Sequence, residues 1–181
     1  MTATSVPSGP EVGTPAIDPQ LHLEVTNFLA TEARLLDEGR EEEWYELLAD
    51  DLLYSIPIRQ AKEPRSTEVT RKAFRMRDRK AHVRMRLNRL ATGHAYSEVP
   101  PSRTMRLVGS VEVAAGSAVD LIAVSSALLL YRQRGIDTHF DLIPCRRNDN
   151  LRRTKDGLRL VTREVILTET SLATPNLGVW L

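Results

Sequence analysis

One cysteine, Cys145, and four histidines, His22, His82, His94 and His139, are the whole thiol and imidazole inventory of this sequence. An iron–sulfur centre of mixed ligation needs two cysteines and two histidines, which a single thiol cannot supply. A mononuclear non-haem iron needs two histidines and a carboxylate on one face of the metal. No two of the histidines stand at the short helical spacing that brings two ligands together. His82 and His94 could converge only through tertiary folding, with Gly93 breaking the segment beside the second. Each histidine is therefore read as a surface or hydrogen-bonded polar group, and no cofactor or metal is expected on this chain.

Acid–base chemistry needs a titratable pair held in an apolar pocket. The candidate pairs are Asp51 with His82 or His94, and His139 with Asp141. The last two lie two apart on a predicted strand and share a face, which equally suits a solvent-facing pair. A small dehydratase or isomerase built on such a pair is the alternative function. Cys145 stands between Pro144 and Arg146-Arg147, whose charge could lower its pKa; a small half-buried strand residue is the plainer reading. A glycine-rich phosphate loop, a nucleophile elbow and a Cys-x-x-Cys pair are all missing.

Composition narrows the classes further. The 181 residues suit one domain with a proper core. A net charge of +1 gives no global reason to expect nucleic acid or membrane as partner. No apolar run reaches the roughly 20 residues of a membrane span, and the lone cysteine fits a reducing, cytoplasmic setting. One stretch is strongly basic: Arg71, Lys72, Arg75, Arg77, Arg79, Lys80, Arg84, Arg86 and Arg89 stand there with a single acid, Asp78. Phosphate binding is the first thought. Only Phe74 is there to stack on a base, so the stripe reads as a solvated face or a protein contact.

These residues must be held by elements the sequence punctuates. Met1 to Ile17, rich in Thr, Ser, Pro and Gly, reads as a flexible arm, and 18–181 as the single domain. Asp18 can cap a first helix, Pro19 suits its first position, and Gly39 can close it. Its apolar stripe is Leu21, Val25, Phe28, Leu29, Ala33 and Leu36. A second short helix is predicted over Glu41–Ala49 and a strand over Leu52–Arg59. Gln60–Arg77 reads as irregular, and Asp78 as the cap of a third helix running to Thr92. The period then changes to two, predicting strands over Arg103–Val113, Val119–Arg134, Thr138–Arg147 and Leu158–Thr168, with a hairpin signal at Asp156-Gly157. Asp149 is expected to bond amides of an Arg147–Leu151 turn. Leu177, Val179 and Trp180 are apolar for a tail and should fold back onto the sheet or into a subunit contact. Helices followed by long antiparallel strands mean α+β. A strand as long as Val119–Arg134 would span about 50 Å if straight, so the sheet must curve around a helix as a cone of the cystatin-like, NTF2-like type.

Several strings carry a resemblance: Glu32-Ala33-Arg34-Leu35-Leu36-Asp37 with Glu43-Trp44, Tyr54-Ser55-Ile56-Pro57, and Arg86 to Gly93. Pro101-Ser102-Arg103, Arg146-Arg147-Asn148-Asp149-Asn150-Leu151-Arg152, Arg163 to Leu167 and Asn176-Leu177 follow in order. The chain resembles the small (β) subunit of the aromatic-ring-hydroxylating dioxygenases. It departs from that pattern at Ser125-Ser126-Ala127, at Cys145 before the arginine pair, and in the cationic run Arg71–Arg77.

The resemblance implies an NTF2-like fold and a structural role. A partner α subunit would carry the Rieske [2Fe–2S] cluster, the mononuclear Fe(II) and the substrate pocket. Three α and three β subunits would assemble as a hexamer with β–β contacts, and ferredoxin or reductase would meet this chain only indirectly through α. On this reading Arg84 and Arg86 face acidic surface on α or a neighbouring β. Arg103, Arg146, Arg147, Asp149 and Arg152 form an internal polar network or subunit contacts, and Leu177 and Trp180 anchor the tail.

Overall fold

The computed structural model describes residues 18–92, 101–135, 138–172, 174 and 176–181. The N-terminal arm, Gly93 and His94 lie outside them. Helix α1, Pro19–Asp37, begins as its sequence dictates: the Asp18 carboxylate accepts from the Gln20 N–H at 3.0 Å, and Pro19 occupies the first turn. It stops before Gly39, whose φ of +69° is the left-handed turn that glycine adopts without a Cβ penalty. Helix α2 is only Glu41–Tyr45, shorter than predicted. Leu48 and Ala49, read as its last residues, instead open strand β1, Leu48–Arg59. The cause is distant in sequence. Leu48 pairs with Leu160 of the last strand, and the Leu160 N–H donates to the Leu47 carbonyl at 2.9 Å.

Strand β2, Val69–Arg79, falls where irregular structure was expected. Asp78 is its penultimate residue, paired with Tyr54, and its carboxylate accepts from Arg86 at 3.2 Å. It therefore does not cap helix α3, Lys80–Ala91, whose cap position is Arg79. Four long strands follow: β3 Arg103–Ala115, β4 Leu121–Gln133, β5 Phe140–Thr154 and β6 Gly157–Leu167. The β5–β6 reversal falls on Lys155-Asp156, and Gly157 takes φ +100° to start β6. β5 extends seven residues past Arg147, so the expected Arg147–Leu151 turn is continuous strand, laddered to β4 on one side and β6 on the other.

The six strands make one sheet in the order β2-β1-β6-β5-β4-β3, antiparallel except for the β1–β6 pair. Register shifts at Ile56–Ile58, between Gly109 and Glu112, and between Asn150 and Leu151 supply the bends. The sheet curves over α1, and the core sits in that concavity, with Val25, Leu29, Trp44, Leu52, Ile56, Leu130, Leu151, Leu160 and Trp180 buried together. No helix among the described residues is long and apolar enough to cross a membrane.

Candidate functional site

The most chemically loaded place in the fold is its interior. Strand alternation turns Arg147, Asp149 and Arg163 inward, and α1 presents Glu32 to them. All four are fully buried. Arg163 is the hub. Its guanidinium donates to both Glu32 oxygens at 2.7 and 2.8 Å and to both Asp149 oxygens at 2.9 and 2.7 Å. Arg147 donates to Glu32 Oε2 at 3.2 Å and to Ser126 Oγ at 3.2 Å, and Trp44 Nε1 donates to Glu32 Oε1 at 3.1 Å. Two cations meet two anions, so the formal charge of the cluster is zero. Burial alone would raise the Glu32 pKa; the charges of Arg163 and Arg147, with hydrogen bonds from Arg163 and Trp44, outweigh it and bring the carboxyl down to about 2. Burial likewise opposes the Arg163 charge, and Asp149 and Glu32 more than offset it.

A second arginine set holds the C-terminal segment. Arg132, buried in β4, donates to Ser102 Oγ, Thr174 Oγ1 and the main-chain and side-chain oxygens of Asn176 at 2.9–3.1 Å. Arg106 of β3 is paired with Asp37 at the end of α1 and donates to the Trp180 carbonyl at 2.7 Å. The Trp180 ring packs on Trp44 at 5.0 Å and edge-on to Tyr54 at 5.7 Å, and the Arg86 guanidinium covers it at 4.2 Å. The Tyr54 hydroxyl donates to the Leu181 carbonyl at 2.7 Å and accepts from the Leu181 N–H at 3.0 Å, and Arg163 donates to the same carbonyl at 3.1 Å. The tail is thus wired directly to the ionic cluster.

The residues singled out from sequence divide accordingly. Arg147 and Asp149 are in the cluster, with Asp149 held by Arg163 rather than by turn amides. Trp180 is buried, Leu177 is half-buried against the core, and the Leu177 carbonyl accepts from Arg86. Arg84 donates to Glu42 at 2.6 Å and lies 3.8 Å over the Tyr45 ring. Arg152 forks onto Asp51 at 2.9 Å and reaches Asp120 at 2.9 Å, tying together the starts of β1 and β4. Arg103 and Arg146 are exposed, with Arg146 touching the Ser110 carbonyl at 3.4 Å. Sequence reasoning did not single out Glu32, Arg163, Arg106 or Arg132 as site residues. The available signal was a charged residue at an inward-facing position of an otherwise apolar stripe.

Among the described residues neither Asp51 with His82 nor His139 with Asp141 sits in an enclosed apolar pocket, and His94 lies outside the described residues. Asp51 is engaged by Arg152, and its carboxyl is lowered chiefly by that hydrogen bond. The His82 ring accepts from the Arg79 N–H and lies 4.0 Å from Asp78, in an open groove shared with Arg77, Arg86 and Arg89. His139 is 3.6 Å from Asp141 with its side chain 77% exposed. Among the described residues no three His, Cys, Asp or Glu side chains are grouped to hold a metal ion. Cys145 is buried, and burial pushes its thiol up to about 11 despite Arg147 and Arg163. Native protein at pH 8 should therefore resist iodoacetamide until denaturant is added; mass spectrometry of the Cys145 peptide reads this, and rapid native alkylation would contradict the burial.

Helices followed by one curved six-stranded sheet that closes over the first of them make a scaffold of the NTF2-like, cystatin-like class. Two solved structures share that scaffold. Naphthalene 1,2-dioxygenase superposes with a TM-score of 0.81 at 23% identity, over 93% of this chain and 89% of that one. An NTF2-like protein with a cystatin-like fold from Novosphingobium aromaticivorans gives a TM-score of 0.55 at 18% identity, over 84% and 88%. The family described as "Ring hydroxylating beta subunit" matches residues 31–174. Among curated relatives, the N,N-dimethyl phenylurea N-demethylase subunit beta of Sphingobium sp. (strain YBL2) is 39% identical, over 85% of this chain and 88% of the relative. The chlorobenzene dioxygenase subunit beta of Cupriavidus sp. (strain PS12) is 33% identical, over 90% and 89%. This chain belongs to the family of ring-hydroxylating β subunits.

Proposed function

We propose that this chain is the non-catalytic small subunit of a cytoplasmic, multicomponent oxygenase that oxidises aromatic compounds. Its partner is a large α subunit carrying the Rieske cluster and the mononuclear iron, in an assembly of three large and three small subunits. Ferredoxin or reductase reaches the complex through the large subunit. The observation that carries this reading is how the interior is used. The charges of Glu32, Arg147, Asp149 and Arg163 are paired within the cluster, and Arg106 and Arg132 hold the tail, while Arg147 Nη2 and Arg106 Nε stay buried without a hydrogen-bond partner. A catalytic site presents its titratable groups to a pocket that substrate can enter; here the buried carboxylates of Glu32 and Asp149 are taken up by arginines and fix the scaffold. Arg84 and Arg103, at the surface, are the cations we assign to subunit contacts.

For the reaction of the complex, the chlorobenzene relative supports dihydroxylation of an aromatic ring. The 39% relative supports a second reading, oxidative N-demethylation of an aromatic urea or amine. Co-expression with the large subunit tests both. Iron and acid-labile sulfide should track the large subunit in the purified complex, with none in this chain alone. A cis-dihydrodiol product establishes the first chemistry and formaldehyde release the second. Stoichiometric iron on this chain alone, or turnover without the large subunit, would overturn the assignment.

A further inference from the structure

Helix α3 buries Val83 and Leu87 in the core and turns a second stripe away from it. His82, Met85, Arg86 and Arg89 stand at i, i+3, i+4 and i+7, so they share one face of the helix. With Arg77 and Asp78 at the end of β2 they line an open groove of about 320 Å³. Three guanidiniums meet one carboxylate there, which leaves positive charge in excess.

The one carboxylate is already committed. Asp78 accepts from Arg86 Nη1 at 3.2 Å, while Arg86 Nη2 donates to the Leu177 carbonyl at 3.3 Å. Arg86 is therefore a fixed wall of the groove, with its side chain only 23% exposed. Arg77 and Arg89 are exposed, and neither has a carboxylate partner among the described residues. Arg77 lies 5.0 Å over the Phe74 ring. His82 Nδ1 accepts the Arg79 N–H at 3.1 Å, so the neutral ring keeps its own proton on Nε2 as a further donor. Beside these donors stands an apolar group, the thioether of Met85, which is 67% exposed.

Guanidinium edges match a carboxylate two N–H groups at a time, and guanidinium faces stack on aromatic rings. A thioether also packs favourably against a ring. An aliphatic or inorganic anion would use the charge and leave Met85 without a contact; an uncharged ring would do the reverse. We infer that this groove binds a small aromatic carboxylate, with Arg77 and Arg89 taking the carboxylate and Met85 the ring. Arg86 both lines the groove and covers the Trp180 ring at 4.2 Å, so an occupant is felt at the tail. The site goes beyond the small-subunit reading and does not depend on it.

Titrating the nitrogen-15-labelled full chain with benzoate at low salt tests it by NMR. Trp44 and Trp180 are the only tryptophans, so the spectrum carries two indole N–H peaks, and Trp180→Phe identifies the one that matters. That peak should move saturably, with a dissociation constant on the order of 1 mM for so small a ligand. Acetate and phosphate offer charge without a ring, and benzyl alcohol a ring without charge; each should bind about tenfold more weakly or worse. Arg77→Gln and Arg89→Gln should each raise the benzoate constant about tenfold, and Met85→Glu should abolish binding. All three side chains are exposed, so far-UV circular dichroism should be unchanged. A Trp180 peak that stays still up to about 20 mM benzoate overturns the proposal. So does a response that acetate or phosphate matches, or one indifferent to Arg77→Gln and Arg89→Gln.

Discussion

Arg163→Met is expected to lower the melting temperature by on the order of 10 °C, from the roughly 3–5 kcal/mol that follows removal of one partner of a buried ion pair. The size comes from what is left behind. Glu32 and Asp149 lose the guanidinium they share, and Glu32 keeps only Arg147 and the Trp44 indole N–H. The acid response should change sign. In the parent, the depressed Glu32 pKa gives stability that is complete above about 4.5 and is lost as pH falls toward about 2. Without Arg163 the burial penalty dominates, and the folded carboxyl titrates above its unfolded value. Acidifying the variant from pH 7 to pH 5 then relieves a buried charge, so its deficit against the parent should narrow. Neutralising the carboxylates as well, in Arg163→Met with Glu32→Gln and Asp149→Asn, should recover much of the loss. Thermal melts followed by circular dichroism between pH 4 and pH 8 measure all three. A single-variant shift within about 2 °C would mean that the cluster is not the buried ionic hub its geometry describes.

The cluster also marks how far sequence reasoning reached. The ends of α1 were legible because caps are local: Asp18, Pro19 and Gly39 each act within a turn of their own position. The four C-terminal strands were legible because period-two alternation survives over many residues. The missed elements depended on distant partners. Leu47 and Leu48 continue an apolar helical pattern, and only pairing with Leu160 makes Leu48 a strand residue. β2 hid behind its charge. Phe74, Met76 and Asp78 do alternate inward against Arg75, Arg77 and Arg79, but a cationic edge strand buries too little to resemble one. Asp149, taken for a turn residue, sits in mid-strand because Arg163 meets its carboxylate there.

The site itself was partly legible. Arg147 and Asp149 stood out as a string, whereas Glu32 was passed over although it lies on the same helical stripe as Val25, Phe28, Leu29 and Leu36. A carboxylate on an apolar stripe requires a buried cation. Arg163, flanked by the inward Val161 and Val165, was the available match. The resemblance strings now have physical content. Ser102 and Asn176 are the oxygens that Arg132 holds, and Asp37 is the carboxylate that Arg106 holds.

Trp180→Ala should be comparably severe. Removing a fully packed tryptophan costs about 3–5 kcal/mol, again on the order of 10 °C here. The ring fills the space between Trp44 and Tyr54 beneath the Arg86 guanidinium. Trp180→Phe keeps most of that contact and should lose far less; Arg86→Met removes the covering cation and its bonds to Asp78, Leu177 and the Met76 sulfur, a smaller step again. The two large predictions are also coupled. Trp44 both stacks on Trp180 and donates to Glu32, and Arg163 and Tyr54 hold the Leu181 carbonyl beside the same ring. Once Trp180 is gone, part of the order that positions Glu32 for Arg163 has already been lost. The Trp180→Ala, Arg163→Met double variant should therefore fall short of the sum of its singles by more than the roughly 0.5 kcal/mol typical of independent sites. Strict additivity in urea unfolding would show that the tail and the ionic cluster are stabilised separately.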